Sequence, residues 1–79
     1  MRISELIKAT DAKVFGSYED IDVKISTDTR TIKTGDFYLP LKGANFDGEK
    51  FISNAIASGA LGAFCTQKPI EQSSLFLMV

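Results

Sequence analysis

The stretch Phe37–Cys65, FYLPLKGANFDGEKFISNAIASGALGAFC, decides the fold. It opens on an apolar run, Phe37–Leu41, and closes on a second, Leu61–Cys65. Between the runs, Asp47 can cap a helix and Gly59 lies where a helix commonly ends in the left-handed conformation. Two short apolar strands joined by a helix are expected to be parallel, with a right-handed crossover. The sequence therefore predicts a strand, helix, strand unit.

The helix of this unit shows the clearest local pattern. Phe46 and Phe51 sit at the positions of a hydrophobic staple around Asp47. Pro40 has no N–H to donate to a sheet, so it belongs at an edge or a bulge of the first strand. The apolar face of the helix is expected to consist of Phe51, Ile52, Ala55 and Ile56.

Weaker elements are predicted on both sides of this unit. A short helix is expected from Ser4, as its N-cap, to about Ala9. Strands are expected within Asp22–Thr29, which alternates apolar and polar residues, and within Lys13–Tyr18. A turn is predicted at Lys33–Asp36, with Gly35 at positive φ, and a further strand at Leu75–Val79. Because the sequence stops inside this last strand, we expect it to be part of a longer protein.

Composition excludes several classes of function. The 79 residues suit one small α/β domain, and the net charge of -1 indicates neither a nucleic-acid nor a membrane partner. With no histidine and a single cysteine, Cys65, neither a disulfide framework nor a zinc site is expected. Cys65 lies on an apolar strand and is predicted to be a core residue. In the absence of a signal peptide or a membrane-spanning run, a cytoplasmic protein is expected.

A hydroxyl-rich segment follows the second predicted strand. Ser26–Thr31, STDTRT, places four hydroxyls around one carboxylate and one guanidinium. Hydroxyls donate and accept, and the arginine fork suits phosphate oxygens, so the segment could hold a phosphorylated ligand. Alternatively, threonine is simply a good strand residue and Asp28 pairs with Arg30 or caps the turn. On these residues alone the structural interpretation is favoured.

A second segment, Lys42–Gly48 (KGANFDG), joins the end of a strand to the start of a helix. Ligands of open α/β sheets bind at such strand ends, and helix N-termini favour anions. Asn45 could read the edge of a base and Phe46 could stack on it. Alternatively, Phe46 is only the staple and Asp47 only the cap. The segment matches neither the dinucleotide fingerprint nor the Walker A pattern.

The order of these pieces is more informative than any one of them. The string ISTDTRTIKTGDFYLPLKGANFDGEKFISNAIASGALGAF, Ile25–Phe64, resembles the first-domain signature of the Mur ligases. In that signature a threonine- or serine-rich element ending in arginine precedes a GD turn, an apolar strand ending in KG, and a helix that begins at DG. TDTR and NFDG look more like the MurF type, which adds D-alanyl-D-alanine, than like the MurE type, which adds the third peptide residue.

The resemblance implies a fold and a role. The fold is the Mur ligase N-terminal type, a small α/β domain with a mixed sheet containing the parallel unit. Residues 1–79 would be the UDP-binding first domain of a three-domain, ATP-dependent ligase of peptidoglycan synthesis. Its partners would be UDP-N-acetylmuramoyl-tripeptide and the other domains of the same chain, and ATP and magnesium would be bound outside these residues. No catalytic residue and no metal ligand are expected here.

The resemblance also implies site residues. Thr27 and Thr29 are expected to contact the uridine diphosphate, and Ala44, Asn45 and Phe46 to line the uridine pocket. Asp28 and Arg30 are expected to hold the two segments together. The full second rank is Ser26, Asp28, Arg30, Lys42, Gly43, Asp47 and Gly48.

One departure from the signature bears on the ligand, since Glu49 replaces a frequent histidine and would repel a diphosphate if it faced the site. Two alternatives stay open: the first domain of a MurE-type ligase, or a free-standing small binding module without ligase activity.

Overall fold

Five strands form one mixed sheet in the computed structural model, which describes residues 1–43, 46–67 and 74–79. The sheet order is β1-β7-β6-β3-β2, with β1 antiparallel to β7 and every other neighbouring pair parallel. A separate antiparallel pair is formed by β4 and β5. The strands are β1 Lys13–Phe15, β2 Ile25–Ser26, β3 Phe37–Tyr38, β4 Lys42–Gly43, β5 Phe46–Asp47, β6 Gly62–Cys65 and β7 Leu75–Met78.

The predicted unit between β3 and β6 is confirmed. The two strands are adjacent and parallel, and the chain between them includes a 3-10 helix, Gly48–Phe51, followed by α2, Ile52–Ala57. Asp47 caps this segment, because its Oδ1 accepts the Glu49 N–H at 3.1 Å. Gly59 has φ +109°, as its position after the helix requires.

Side chains alternate between the two faces of the sheet, and each face carries its own core. One core, which includes Phe37 and Phe64 in an edge-to-face contact, packs against α1, Ile3–Thr10. The other core includes Tyr38 and packs against Ala55 of α2. Adjacent side chains of β3 therefore point to opposite faces of the sheet, Tyr38 toward α2 and Phe37 toward α1.

Pro40 explains why β3 is shorter than predicted. The N–H groups of Phe37 and Leu39 donate to carbonyls of the β2 side, at 2.8 Å each. The backbone N–H positions of residues 38 and 40 therefore point toward β6. Because Pro40 has no N–H, it cannot donate a hydrogen bond to β6. Pairing of β3 with β6 stops at Tyr38, although β6 continues to Cys65 beside β7. The prediction of a strand across Phe37–Leu41 was wrong in its last part.

Two N-terminal predictions were also partly wrong. Within Asp22–Thr29, only Ile25–Ser26 forms a strand, and Asp22 makes an isolated antiparallel bridge with Arg2. Helix α1 begins at Ile3, so Ser4 is inside the helix and is not its N-cap. The Ser4 N–H is instead accepted by Asp20 Oδ1, and its hydroxyl donates to Asp20 Oδ2, both at 2.9 Å. A carboxylate 16 residues away thus accepts the Ser4 N–H at the helix start, a contact that no local pattern could indicate, while Glu5 accepts the Arg2 N–H locally.

This contact predicts a pH-dependent stability. Hydrogen bonds from Ser4, first from its N–H, lower the pKa of Asp20. A carboxylate with a lowered pKa stabilises the fold above its unfolded value of about 3.9, and that stabilisation is lost as pH falls through the folded pKa. We expect Asp20→Ala to lower the urea midpoint at neutral pH, and this difference to become smaller at about pH 2, because the wild-type carboxylate becomes protonated as pH falls through its lowered pKa. An equal difference at both pH values would contradict this account.

Candidate functional site

A groove of about 530 Å³ opens where the carboxyl ends of β2 and β3 approach α2. Parallel α/β sheets bind ligands at this edge. One wall comes from the segment after β2, the other comes from the 3-10 helix and α2, and β3 contributes between them. The lining residues are Thr27, Asp28, Thr29, Arg30, Tyr38, Leu41, Phe51 and Asn54.

The first wall is rigidified by an ion pair within one turn. Asp28 precedes a 3-10 helix, Thr29–Thr31, and its Oδ1 accepts the Arg30 N–H at 2.9 Å. The Arg30 guanidinium donates to both Asp28 oxygens, from Nε at 3.1 Å and from Nη2 at 2.9 Å. Hydrogen bonds to this guanidinium are the main reason that the pKa of Asp28 is lowered and the pKa of Arg30 is raised. The pair therefore keeps one charge of each sign on the groove rim.

Asp28 and Arg30 pair with each other inside the first segment, two residues apart, as the structural interpretation of the sequence expects. The pair forms because the 3-10 turn brings the side chain of its second residue back over the capping carboxylate. The expectation that the two residues hold the two segments together stays a prediction.

The four hydroxyls of this wall divide into two pairs. Ser26 Oγ and Thr31 Oγ1 both donate to the Asp28 carbonyl, at 3.2 Å. Across the parts of the chain that the structure describes, no hydrogen bond engages the hydroxyls of Thr27 and Thr29, and both residues line the groove. The two threonines expected to contact ligand are therefore the two with hydroxyls left for it.

The second segment is described only in part. Ala44 and Asn45 lie outside the described residues, as do the side chains of Lys42 and Phe46. Around them, β4 and β5 pair with Lys42 opposite Asp47 and Gly43 opposite Phe46. The expectation that Ala44, Asn45 and Phe46 line a uridine pocket stays a prediction.

Gly48 and Leu41 join this hairpin to the groove. The Gly48 N–H donates to the Leu41 carbonyl at 2.7 Å, and Leu41 lines the groove. A Cβ on Gly48 would stand 2.7 Å from both the nitrogen and the oxygen of Leu41. Only glycine permits this close approach of two backbone segments.

Four lining residues were not predicted as site residues: Tyr38, Leu41, Phe51 and Asn54. The exposed residues Phe51 and Asn54 belong to the helical segment after Asp47, where only an apolar face was considered. Tyr38 carries the single hydroxyl of the run Phe37–Leu41, and a buried hydroxyl needs a partner. That requirement was the signal in the sequence that could have marked it.

Glu49 does not face the groove. Its Oε1 accepts the Thr66 N–H at 2.5 Å and the Thr66 hydroxyl at 2.9 Å. It lines a separate hollow of about 80 Å³, together with Asp47 and Cys65, at the end of β6. The negative charge that replaces histidine is thus directed to another part of the surface.

The described residues contain neither a cluster of metal ligands nor a helix that could cross a membrane. No three of their His, Cys, Asp and Glu residues lie together as a cation would require. Among the helices of the same residues, none has the length and apolar character needed to cross a bilayer.

The family profile described as "Mur ligase family, catalytic domain" matches residues 23–75, from the buried Val23 to the first residue of β7. The chain belongs to the Mur ligase family. Although the description names a catalytic domain, this Mur ligase chain has no GxxGK[ST] pattern and no histidine. The match therefore establishes membership and assigns no reaction step to these residues.

Two curated relatives represent two branches of the family. The UDP-N-acetylmuramoyl-tripeptide–D-alanyl-D-alanine ligase of Synechocystis sp. is 46% identical over 54 residues, 67% of this chain and 12% of the relative. The UDP-N-acetylmuramoyl-L-alanyl-D-glutamate–2,6-diaminopimelate ligase of Chlamydia pneumoniae is 32% identical over 62 residues, 77% of this chain and 13% of the relative. The chain thus spans about an eighth of the length of these relatives.

Solved structures confirm the fold. MurF from Acinetobacter baumannii superimposes with a TM-score of 0.80 at 28% identity, over 96% of this chain and 17% of that one. MurF from Thermotoga maritima in complex with ADP gives 0.62 at 25% identity, over 71% of this chain and 13% of that one. The small mixed α/β fold of the Mur ligases, predicted from the sequence, is confirmed, and the chain is MurF-like.

Proposed function

We propose that this chain is the UDP-binding first domain of a D-alanyl-D-alanine-adding Mur ligase of peptidoglycan synthesis. The substrate would be UDP-N-acetylmuramoyl-tripeptide. The observation that carries the proposal is the groove in which Thr27 and Thr29, whose hydroxyls make no hydrogen bond to any described residue, lie on the wall opposite Phe51 and Asn54. It has the chemistry that a nucleoside diphosphate needs, with donors for phosphate on one wall and a ring and an amide for a base on the other.

The two walls would bind different parts of the ligand. On the first wall, the threonine hydroxyls donate to phosphate oxygens beside Arg30, whose charge favours the anion. On the second, the Phe51 ring offers a stacking surface and the Asn54 amide offers both a donor and an acceptor to the base edge. A groove of about 530 Å³ falls within the usual size of small-molecule sites.

The role of the domain would be to position the substrate. ATP and magnesium would act in the rest of the protein, because the described residues offer no cluster of metal ligands and the sequence has no Walker A loop. Contacts to the nucleotide far from the reacting carboxylate would orient the peptide end for amide formation.

Removing the hydroxyls of Thr27 and Thr29 tests the proposal. We expect Thr27→Val/Thr29→Val to weaken UDP binding about a hundredfold in calorimetric titration of the 79-residue chain, since each of the two lost hydrogen bonds to a charged group costs about 1.5 kcal/mol, or about tenfold in affinity. Thr10→Val is the matched control, because Thr10 donates to the Leu6 carbonyl on α1, across the sheet. Equal affinities for the wild-type chain and the double variant would contradict the assignment of these threonines.

The diaminopimelate-adding branch is the second candidate, favoured by relatives such as that of Gloeobacter violaceus, 40% identical over 63 residues. Both branches would use the same UDP groove, so binding cannot separate them. The discriminating measurement is phosphate release by the whole protein that carries this chain, with D-alanyl-D-alanine or with 2,6-diaminopimelate as acceptor. The donor is UDP-N-acetylmuramoyl-tripeptide with D-alanyl-D-alanine and UDP-N-acetylmuramoyl-L-alanyl-D-glutamate with 2,6-diaminopimelate. We expect turnover with the first pair, and turnover with only the second pair would reassign the branch.

A further inference from the structure

Tyr38 is the buried residue through which β3 contacts the second segment. Its side chain is 1% exposed, and its hydroxyl donates to the Gly48 carbonyl at 2.8 Å. Gly48 begins the 3-10 helix that leads to Phe51 and Asn54. The hydrogen bond therefore fixes the start of the wall that faces Thr27 and Thr29.

Tyr38 is equally tied to the first wall. It pairs with Ser26, the last residue of β2, immediately before Thr27. The Leu39 N–H then donates to the Ser26 carbonyl at 2.8 Å. One residue of β3 is thus fixed by backbone pairing to the first wall and by its hydroxyl to the second.

The carboxylates that affect the pKa of Tyr38 come from both segments. Burial raises the pKa of Tyr38, and the carboxylates of Asp28 and Asp47 raise it further. Asp28 belongs to the first segment and Asp47 to the second, so the phenol lies within reach of both. A raised pKa keeps the hydroxyl protonated, and therefore a donor, at neutral pH.

We propose that Tyr38 is a positioning residue, whose hydroxyl sets the separation of the two groove walls and thereby the affinity for a nucleoside diphosphate. The inference rests on the proposed UDP function. Without the hydroxyl, the buried Gly48 carbonyl loses its donor, and the 3-10 helix can shift relative to Thr27. The ring would remain packed against Ala55 and Ala63 in the α2-side core.

The test compares the wild-type chain with three variants, each of which differs from it at one side chain. We expect Tyr38→Phe to weaken UDP binding about fivefold to tenfold by calorimetry, and Ser4→Ala, which loses one exposed hydroxyl at α1, to leave it unchanged. A variant with 4-aminophenylalanine at position 38 keeps an N–H donor and should restore most of the affinity. Amide hydrogen exchange without ligand should be faster at residues 48–54 in Tyr38→Phe and unchanged in Ser4→Ala.

Each outcome separates the two proposals. UDP binding by the wild-type chain with equal affinity in Tyr38→Phe would overturn the role of Tyr38 alone. No UDP binding by the wild-type chain would overturn both. If Tyr38→Phe does not fold, the wild-type chain still decides: UDP should slow amide exchange at Glu49, Lys50 and Phe51, and unchanged exchange there would overturn the inference.

Discussion

Gly62→Ala is expected to lower the free energy of unfolding by about 3 kcal/mol or more, because a methyl group at this position has no room. Gly62 pairs with Leu75 of β7, and its Cβ would overlap the Leu75 carbonyl oxygen. The same Cβ would stand 2.9 Å from the Phe37 ring, which is itself fully buried. Neither the backbone oxygen nor the ring can move without separating two central strands.

Gly35→Ala is the matched control for this effect. Gly35 has φ +90°, which strains an alanine, but no atom lies within 4 Å of the added Cβ. The expected loss is about 1 kcal/mol, from backbone strain alone. Urea denaturation of both variants makes the comparison, and equal losses would show that β6 and β7 are not packed as closely as the structure has them.

Among the single substitutions, Arg30→Glu is expected to have the largest effect on ligand binding, a loss of UDP affinity of more than about tenfold. The substitution removes the guanidinium that neutralises Asp28 and places a second carboxylate on the groove rim. Both changes weaken the binding of a negatively charged diphosphate. Since Arg30 is largely exposed, salt will screen the effect, and the difference from wild type should shrink as ionic strength rises.

Lys8→Glu controls for the change in net charge. Lys8 is exposed on α1, which packs on the opposite face of the sheet from α2. The variant carries the same charge change as Arg30→Glu, but at a distance that salt screens. Equal losses of affinity in the two variants would mean that net charge, and not the rim position of Arg30, governs binding.

The sequence predicted the parts of the fold that depend on local rules. The Asp47 cap, the positive φ of Gly35 and Gly59, and the parallel pairing of β3 with β6 follow from residue chemistry and spacing. In contrast, the Asp20 carboxylate that satisfies the start of α1 lies 16 residues away. Contacts of that kind depend on how separate segments meet, and no periodicity encodes them.

The candidate site shows the same division. Thr27 and Thr29 were expected at the site from the resemblance, and both line the groove. Tyr38 was treated only as part of an apolar strand, because its acceptor is a backbone carbonyl ten residues on. Phe51 was assigned to an apolar helix face, although a 3-10 turn precedes α2 and leaves its side chain 38% exposed. A single α-helical period applied to the whole segment does not predict the side-chain directions of the 3-10 turn.

In the proposed function, the groove between the segment after β2 and the start of α2 binds a nucleoside diphosphate. Titration of UDP into the ¹⁵N-labelled chain, followed by amide chemical shifts, locates the ligand. We expect saturable shifts at residues on both walls, Thr27–Arg30 and Phe51–Asn54, with little change on α1. Shifts confined to α1 or β1, or none at millimolar UDP, would contradict it.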